Sequence, residues 1–156
     1  MKKFIGLFLA VVLVLSLAAC SDVPFNGDIE FNDIALTIPE NFVRDSTQSN
    51  ENFWVFERNG YAEYILISRS FSEKEEAQVL ENYVEKMRGI GAESEIVSFS
   101  GKDAVLSKYN KDNTFCQEIL FPHNGDFYAV ALRGGTEESF KSLIGTISLI
   151  ERVEAE

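Results

Sequence analysis

Cys116 and His123 are the only thiol and the only imidazole beyond the first twenty residues, and Asp126 follows His123 three positions later. A nucleophile, a base and an orienting carboxylate are the parts of a site for covalent catalysis. The alternating pattern from Phe115 to Phe121 predicts a strand that carries Cys116 on one side, with His123 at the turn that follows. Seven residues of extended chain span roughly 23 Å, which is too far for a hydrogen bond. We therefore expect structural roles for these side chains, no catalytic residue and no enzymatic activity.

Metal sites are also poorly supported by the residue types and their spacing. The acidic residues Asp28, Glu30 and Asp33 lack the spacing of a calcium-binding loop. One histidine and one free cysteine cannot supply the four ligands of a structural zinc ion. The sequence predicts neither a metal nor a cofactor.

A pair of glycines, Gly134-Gly135, precedes a predicted helix and resembles the turns in which helix N-termini bind phosphate. Glu137 and Glu138 already occupy the positive end of that helix and would repel an anion. The pattern therefore favours a flexible turn between a strand and a helix.

Aromatic side chains are concentrated in one predicted hairpin, at Phe53, Trp54, Phe56, Tyr61 and Tyr64. Alternation along a strand places Trp54 and Phe56 on one face and Phe53 on the other. Either both faces are covered by helices, or an aromatic patch is exposed and binds a partner. Core packing is the favoured interpretation, and Phe53, Trp54 and Tyr61 are the candidate partner-contact residues of the alternative.

The first twenty residues have the three parts of a secretory signal. Lys2 and Lys3 precede an apolar run from Phe4, which ends in Leu17-Ala18-Ala19-Cys20. This ending resembles the bacterial lipobox, which implies cleavage before Cys20 and attachment of a diacylglycerol to its sulfur. We expect residues 1–19 to be a lipoprotein signal peptide and Cys20 to be the lipidation site. The predicted location is the outer face of the cytoplasmic membrane, in a bacterial cell envelope.

Composition favours one exported acidic domain. The formal net charge is −11, and removal of the signal takes away two lysines and no acidic residue. This charge opposes binding to nucleic acid, which requires clusters of Lys and Arg. Residues 20–30 are rich in turn formers and predict a flexible tether of roughly 20 Å that lifts the domain off the membrane. The folded domain is predicted at 31–150 and a tail at 151–156.

Hydrophobic periodicity predicts seven strands and two helices. A capping-box sequence, Ser72-Glu73-Lys74-Glu75, predicts a helix to about Arg88. Thr136 is the predicted N-cap of a second helix, whose predicted buried residues are Phe140, Leu143, Ile144 and Ile147. The dipeptides Asn59-Gly60 and Asn124-Gly125 predict two-residue hairpins. The strands are predicted at 34–38, 53–58, 61–70, 95–100, 104–109, 115–121 and 127–132. Tight turns require antiparallel pairing, so the predicted class is α+β, an antiparallel sheet of about six to seven strands flanked by two helices.

The segments Ile34 to Phe42, the Gly101 turn, Asp126 to Val130 and Phe140 to Ile147 together resemble the PsbP-like superfamily of sandwich domains. That resemblance implies a fold used by non-enzymatic proteins, among them photosystem subunits, a Ran-binding import factor and small bacterial lipoproteins. The resemblance does not identify any functional residue in this chain. We expect a membrane-tethered lipoprotein that serves as a binding or accessory domain for an envelope protein. The alternative is a small envelope enzyme or a solute-binding lipoprotein with an enclosed pocket.

Overall fold

A computed structural model describes residues 24–152, and within them the chain forms nine strands and two helices. The strands are β1 (Pro24–Phe31), β2 (Ile34–Arg44), β3 (Phe53–Arg58), β4 (Glu63–Phe71), β5 (Glu93–Phe99), β6 (Lys102–Lys111), β7 (Thr114–His123), β8 (Asp126–Arg133) and β9 (Ser148–Leu149). The helices are α1 (Glu76–Gly89) and α2 (Glu137–Gly145). The predicted signal peptide and Cys20 lie outside the described residues.

All strand pairs are antiparallel. The order across the sheet is β1-β2-β3-β4-β8-β7-β6-β5, and β9 pairs with the first two residues of β2, on the edge away from β1. Only two residue pairs join β2 to β3, Val43 with Glu57 and Arg44 with Phe56. The β1–β2 hairpin is therefore attached to the rest of the sheet at one end of β2.

The prediction of a six- to seven-stranded sheet flanked by two helices is wrong. Residues 24–30, which the sequence pattern assigns to the tether, form most of β1, where Ile29 and Phe31 are buried. The sequence pattern does not predict this strand, because the turn-forming residues Asn26-Gly27-Asp28 break its alternation. β9 is only two residues long and is defined by its pairing with Ile34 and Ala35, which no local pattern predicts.

The main core lies on one face of the sheet and is closed by the β1–β2 hairpin as well as by α2. Its buried members come from β1, β2, β3, β4, β6, β7, β8 and α2, and the largest include Phe31, Phe42, Phe56, Phe121, Tyr128 and Phe140. The hairpin thus covers part of the sheet face that the sequence prediction assigns to a helix.

A smaller core lies on the other face, beneath α1. Leu80 and Val84 of the helix pack on Val105, Leu120 and the neighbouring side chains of β8. Alternation along β7 separates the two cores, because Ile119 belongs to the main core and Leu120 to the smaller one. The packing of α1 is concentrated on β5, β6 and β7, so the helix covers only part of its face.

The two helices begin differently. The predicted capping box is wrong, because α1 begins at Glu76 without a side-chain cap and the Ser72 hydroxyl accepts a bond from the Lys74 amide instead. The predicted cap of α2 is confirmed, since the Ser139 amide donates to Thr136 Oγ1 at 3.1 Å. Two of the four residues predicted to be buried here, Phe140 and Leu143, are buried, whereas Ile147 follows the end of the helix.

The turns also differ in how well their sequences predict them. His123 pairs with Asp126, so Asn124-Gly125 is a two-residue turn as predicted, with φ values of 50° and 80°. The loop at Asn59-Gly60 spans four residues, because Arg58 pairs with Glu63. β2 continues through Pro39, where the register with β1 shifts, and such an irregularity accommodates a residue that lacks an amide hydrogen.

None of the helices in the described part of the chain is long and apolar enough to cross a membrane.

Candidate functional site

Cys116 and His123 lie near opposite ends of β7, so the structure does not bring them together. His123 is buried, and its Nε2 lies 2.9 Å from the Ile150 carbonyl oxygen. Cys116 is also buried, and burial raises the pKa of its thiol. Neither side chain is arranged as the nucleophile or base of a shared site.

His123 instead belongs to a set of polar residues that holds residues 150–152. We call this set, Asp33, His123, Asp126, Tyr128 and Arg152, the C-terminal clasp. The guanidinium of Arg152 lies 2.6 Å from Asp33 Oδ2 and 2.9 Å from Asp126 Oδ2. The Tyr128 hydroxyl donates to Asp33 Oδ2 at 3.2 Å. Burial opposes ionisation of Asp33, but these bonds outweigh it and hold the pKa of its carboxyl below the usual range.

The clasp fixes residues 150–152 to the sheet. The Ile150 amide donates to the Asp33 carbonyl oxygen at 2.8 Å, and Asn124 Nδ2 donates to the Ile150 carbonyl oxygen at 3.0 Å. Sequence reasoning linked His123 and Asp126 to Cys116, whereas in the structure their neighbours include Ile150 and Arg152. Arg152 falls in the predicted tail, and no local pattern marks it as a partner of Asp33, which is more than a hundred positions away.

The acidic residues weighed as calcium ligands are separated. Asp28 is exposed and accepts a bond from Thr37 Oγ1 at 2.6 Å, while Asp33 belongs to the clasp. Across residues 24–152, no group of three or more His, Cys, Asp or Glu side chains is placed to hold a metal ion.

The Gly134-Gly135 turn meets a packing requirement. Gly134 has φ +79°, and a Cβ atom there would lie 2.1 Å from the Ala62 carbonyl oxygen. Its amide donates to the Phe115 carbonyl oxygen at 2.9 Å. The carboxylate of Glu137, in the first turn of α2, is paired with Lys108 at 2.9 Å and with Lys141 at 3.2 Å.

The three candidate partner-contact residues do not form one patch. Trp54 faces the main core, with the Phe31 ring 5.1 Å away and the Arg44 guanidinium 3.8 Å above its own ring. Phe53 lies on the opposite face, as alternation predicts, and is partly buried. Tyr61 is exposed in the loop after β3, where its hydroxyl donates to Asp45.

The face that α1 only partly covers presents a row of paired side chains across four strands. Tyr64 of β4 lies opposite Arg133 of β8, Arg133 lies opposite Cys116 of β7, and Cys116 lies opposite Tyr109 of β6. Arg133 Nη1 donates to the Tyr64 hydroxyl at 3.2 Å, and its guanidinium lies 5.5 Å from the centre of the Tyr64 ring. These contacts fix both side chains on the sheet.

The next row toward the middle of the sheet is more apolar. Leu66 lies opposite Ala131, and Ala131 lies opposite Glu118. Leu66 and Ala131 are partly buried, and neither belongs to the two buried cores. We call this surface the open face; its members are Phe53, Tyr64, Leu66, Tyr109, Glu118, Ala131 and Arg133, with Tyr83 of α1 at its border.

Glu118 is a carboxyl group at the edge of this face that is largely withdrawn from water. The Tyr83 hydroxyl donates to its Oε1 at 2.5 Å. Burial raises the pKa of Glu118, against the opposing effects of the Tyr83 bond and the charge of Lys86. Burial and the nearby Glu118 charge raise the pKa of Tyr109 to about 12, and the same causes raise the pKa of Tyr83. The tyrosines therefore stay protonated, and each presents both an aromatic ring and a hydroxyl.

Sequence reasoning named only Phe53 of the open face as a candidate partner-contact residue, because the members of this face come from five strands and one helix. A usable signal was present in the alternation of Tyr64 and Leu66 with the buried Ile65 and Ile67. That pattern reveals a partly covered second face only when the position of α1 is known.

Comparison with solved structures identifies the fold. The chain has a PsbP-like fold, similar to the solution structure of cyanobacterial PsbP (CyanoP) from Synechocystis sp. PCC 6803. The TM-score is 0.54 at 12% identity, covering 83% of this chain and 96% of that one. A crystal structure from Bacteroides thetaiotaomicron VPI-5482 also matches, with TM-score 0.54, 12% identity and 85% of this chain covered, but the match spans only 51% of that longer chain. No protein-family model and no curated protein matches the sequence.

Proposed function

We propose that this protein is a lipid-anchored lipoprotein of the bacterial cell envelope, whose domain binds another envelope protein through the open face. The observation that carries the proposal is the open face itself, a sheet surface that α1 leaves partly uncovered and that presents Tyr64, Tyr109, Leu66 and Arg133. Tyrosine and arginine are enriched at the centres of protein interfaces, where they contribute much of the binding energy.

Side chains of the open face are also held by contacts within the domain itself. Arg133 is fixed by Tyr64 and lies 3.4 Å from the carboxylate of Asp112, and Tyr83 is fixed by Glu118. Side chains that are already ordered lose little conformational entropy on binding. A preformed surface of this kind supports a binding role.

The location rests on the sequence of the first twenty residues. Two acyl chains on Cys20 give durable attachment, whereas one chain gives only marginal binding. Mass spectrometry of the protein from its native membranes tests this directly. We expect a chain that begins at a diacylated Cys20, and a Cys20→Ala variant that is released from the membrane. An intact Met1 terminus or an unmodified Cys20 thiol would overturn the proposed location.

Crosslinking from the open face tests the binding role. A photoreactive amino acid replaces Leu66 in the full chain, in intact cells, and a matched protein carries it at Lys141, an exposed residue of α2. We expect one reproducible adduct from position 66 and none at that mass from position 141. A Tyr109→Ala substitution in the Leu66 protein should weaken the adduct, because Tyr109 lies on the same face. Equal adducts from both positions, or no adduct from position 66, would overturn the proposal.

A further inference from the structure

The start of β1 lies close to the predicted anchor. β1 begins at Pro24, so only residues 21–23 separate it from Cys20. We propose that the end of the domain that carries Pro24 and the 59–62 loop lies against the lipid headgroups. This inference rests on the acylation of Cys20 in the proposed function and adds an orientation to it.

The length of the connection limits how far Pro24 can lie from the membrane. Four residue steps of fully extended chain reach at most about 14 Å from Cys20 to Pro24. The polar layer on each side of a bilayer is roughly 5 to 8 Å thick. The acyl chains begin at the bottom of that layer, so Pro24 stays within roughly 6 to 9 Å of the headgroups. The ten-residue tether predicted from sequence would have left the domain free to turn in any direction.

Strand pairing then identifies which residues share this end of the sheet. Pro24 pairs with Val43, and Val43 pairs with Glu57. The loop at 59–62 follows directly between β3 and β4. We call this the Pro24 end. The opposite end carries the Asn124-Gly125 turn, because Phe71 at the finish of β4 pairs with Asp126 at the start of β8.

The side chains at the Pro24 end suit a headgroup layer. Tyr61 is 43% exposed at the loop, and its hydroxyl is held by Asp45 and Gln48. Tyrosine has an apolar ring and a polar tip, a combination that favours the interface between lipid and water. Arg58 is paired with Glu63 and Arg44 lies over the Trp54 ring, so this end carries basic side chains beside its acidic ones.

The opposite end carries more acidic than basic side chains, although Lys102 also lies there. Glu73, Glu75 and Glu76 precede or open α1, which starts where β4 finishes, and Lys74 is the only basic residue among them. All four are exposed. Bacterial membranes with anionic lipids repel acidic surfaces and attract basic ones. Charge therefore favours the same orientation as the short connection.

This orientation leaves the open face accessible. The open face lies on one side of the sheet, and its row of Tyr64 and Arg133 is next to the 59–62 loop. The face therefore points along the membrane surface, close to the headgroups. Strand β4 runs from the Pro24 end to the opposite end over nine residues, a rise of roughly 26 Å. A partner anchored in the same membrane would meet the open face from the side.

Fluorescence quenching in vesicles tests the orientation. Single cysteines are introduced by Ala62→Cys at the Pro24 end and by Lys102→Cys at the opposite end; both positions are exposed, and Cys116 is replaced by Ala. The lipidated proteins, labelled with a fluorophore, are placed in vesicles of phosphatidylcholine and phosphatidylglycerol that contain lipids with a nitroxide on the headgroup. We expect several-fold stronger quenching at position 62, because the two ends are roughly 26 Å apart.

A longer connection provides the matched control. Insertion of twenty Gly and Ser residues between Asp22 and Val23 leaves the described domain unchanged and lets it move away from the anchor, since such a linker spans roughly 27 Å. We expect the difference between positions 62 and 102 to be lost in this protein. Equal quenching at both positions with the natural connection, while mass spectrometry confirms an acylated Cys20, would overturn the orientation alone. An unmodified Cys20 would overturn the orientation and the proposed location together.

Discussion

The Tyr83 hydroxyl donates a 2.5 Å hydrogen bond to Glu118 Oε1 and thereby joins helix α1 to strand β7 at the border of the open face. The bond satisfies a carboxyl group that the helix and the sheet withdraw from water. It does not fully offset the loss of hydration, because burial still raises the pKa of Glu118. The surface that we propose as a binding site therefore includes a carboxyl group, that of Glu118, whose burial lowers the free energy of unfolding.

The pH dependence of that cost follows from the direction of the pKa shift. In the unfolded chain Glu118 releases its proton at the ordinary pKa, whereas in the folded domain it holds the proton to higher pH. Between these two pKa values the folded state binds more protons, so stability falls as pH rises. Below both values the carboxyl is neutral in both states and the cost is absent. Above both values the full cost is present.

We therefore predict that Glu118→Gln stabilises the domain at neutral pH. The amide oxygen of Gln can still accept the Tyr83 bond, and an uncharged group avoids the desolvation of a carboxylate. The expected gain is on the order of 1 kcal/mol in the free energy of unfolding, measured by urea denaturation. The gain should shrink as the pH is lowered toward 4. Glu85→Gln, on the exposed side of α1, is the control and should change little. A loss of stability at pH 7 in Glu118→Gln would contradict the prediction.

A second prediction concerns Gly134, where two requirements coincide. Its φ is +79°, and a Cβ atom would lie 2.1 Å from the Ala62 backbone. Gly101 has nearly the same φ, +80°, but a Cβ there meets nothing within 4 Å. Gly101→Ala should cost roughly 1 to 2 kcal/mol, the penalty for a left-handed residue that is not glycine. Gly134→Ala should cost clearly more, because the β8–α2 turn or the 59–62 loop must also move.

Thermal and urea unfolding of the two glycine variants, side by side, measure that difference. The comparison separates backbone strain from close packing, since both substitutions add the same methyl group. Equal losses in the two variants would show that the contact with Ala62 carries no cost.

Local patterns predicted the elements whose neighbours in sequence are also their neighbours in space. The Asn124-Gly125 turn and the Thr136 cap depend on residues within three positions, and both are confirmed. The capping box at Ser72 matched its sequence pattern, but the chain turns instead, and α1 begins only at Glu76. A cap motif indicates where a helix could begin, whereas the packing of Leu80 and Val84 determines where the helix lies.

Features that depend on contacts distant in sequence could not be predicted in this way. β9 exists because Leu149 meets Ile34, and the clasp exists because Arg152 meets Asp33. The open face follows from the position of α1 over one part of the sheet, which alternation in β4 does not reveal. The same limit applies to β1, whose turn-forming residues Pro24, Asn26 and Gly27 match the composition of a linker.

The final prediction tests whether β1 is an integral part of the domain. Phe31 is 1% exposed, and its ring lies 5.1 Å from that of Trp54 and 6.5 Å from that of Tyr128. Phe31→Ala should cost roughly 3 to 5 kcal/mol, as is usual for the loss of a buried aromatic ring. Glu30→Ala, one residue earlier and exposed, is the matched control and should cost little.

Trp54 is the only tryptophan of the chain, so its emission reports directly on this contact. We expect a chain that begins at Asn32 to show red-shifted Trp54 emission and a lower unfolding midpoint, because removal of β1 exposes the indole ring and the inner face of β2. Arg44 alone, above the ring, cannot keep water away. Unchanged emission and an unchanged midpoint in the shortened chain would mean that residues 24–31 are a tether after all. The domain would then be free of the membrane contact that a short connection imposes.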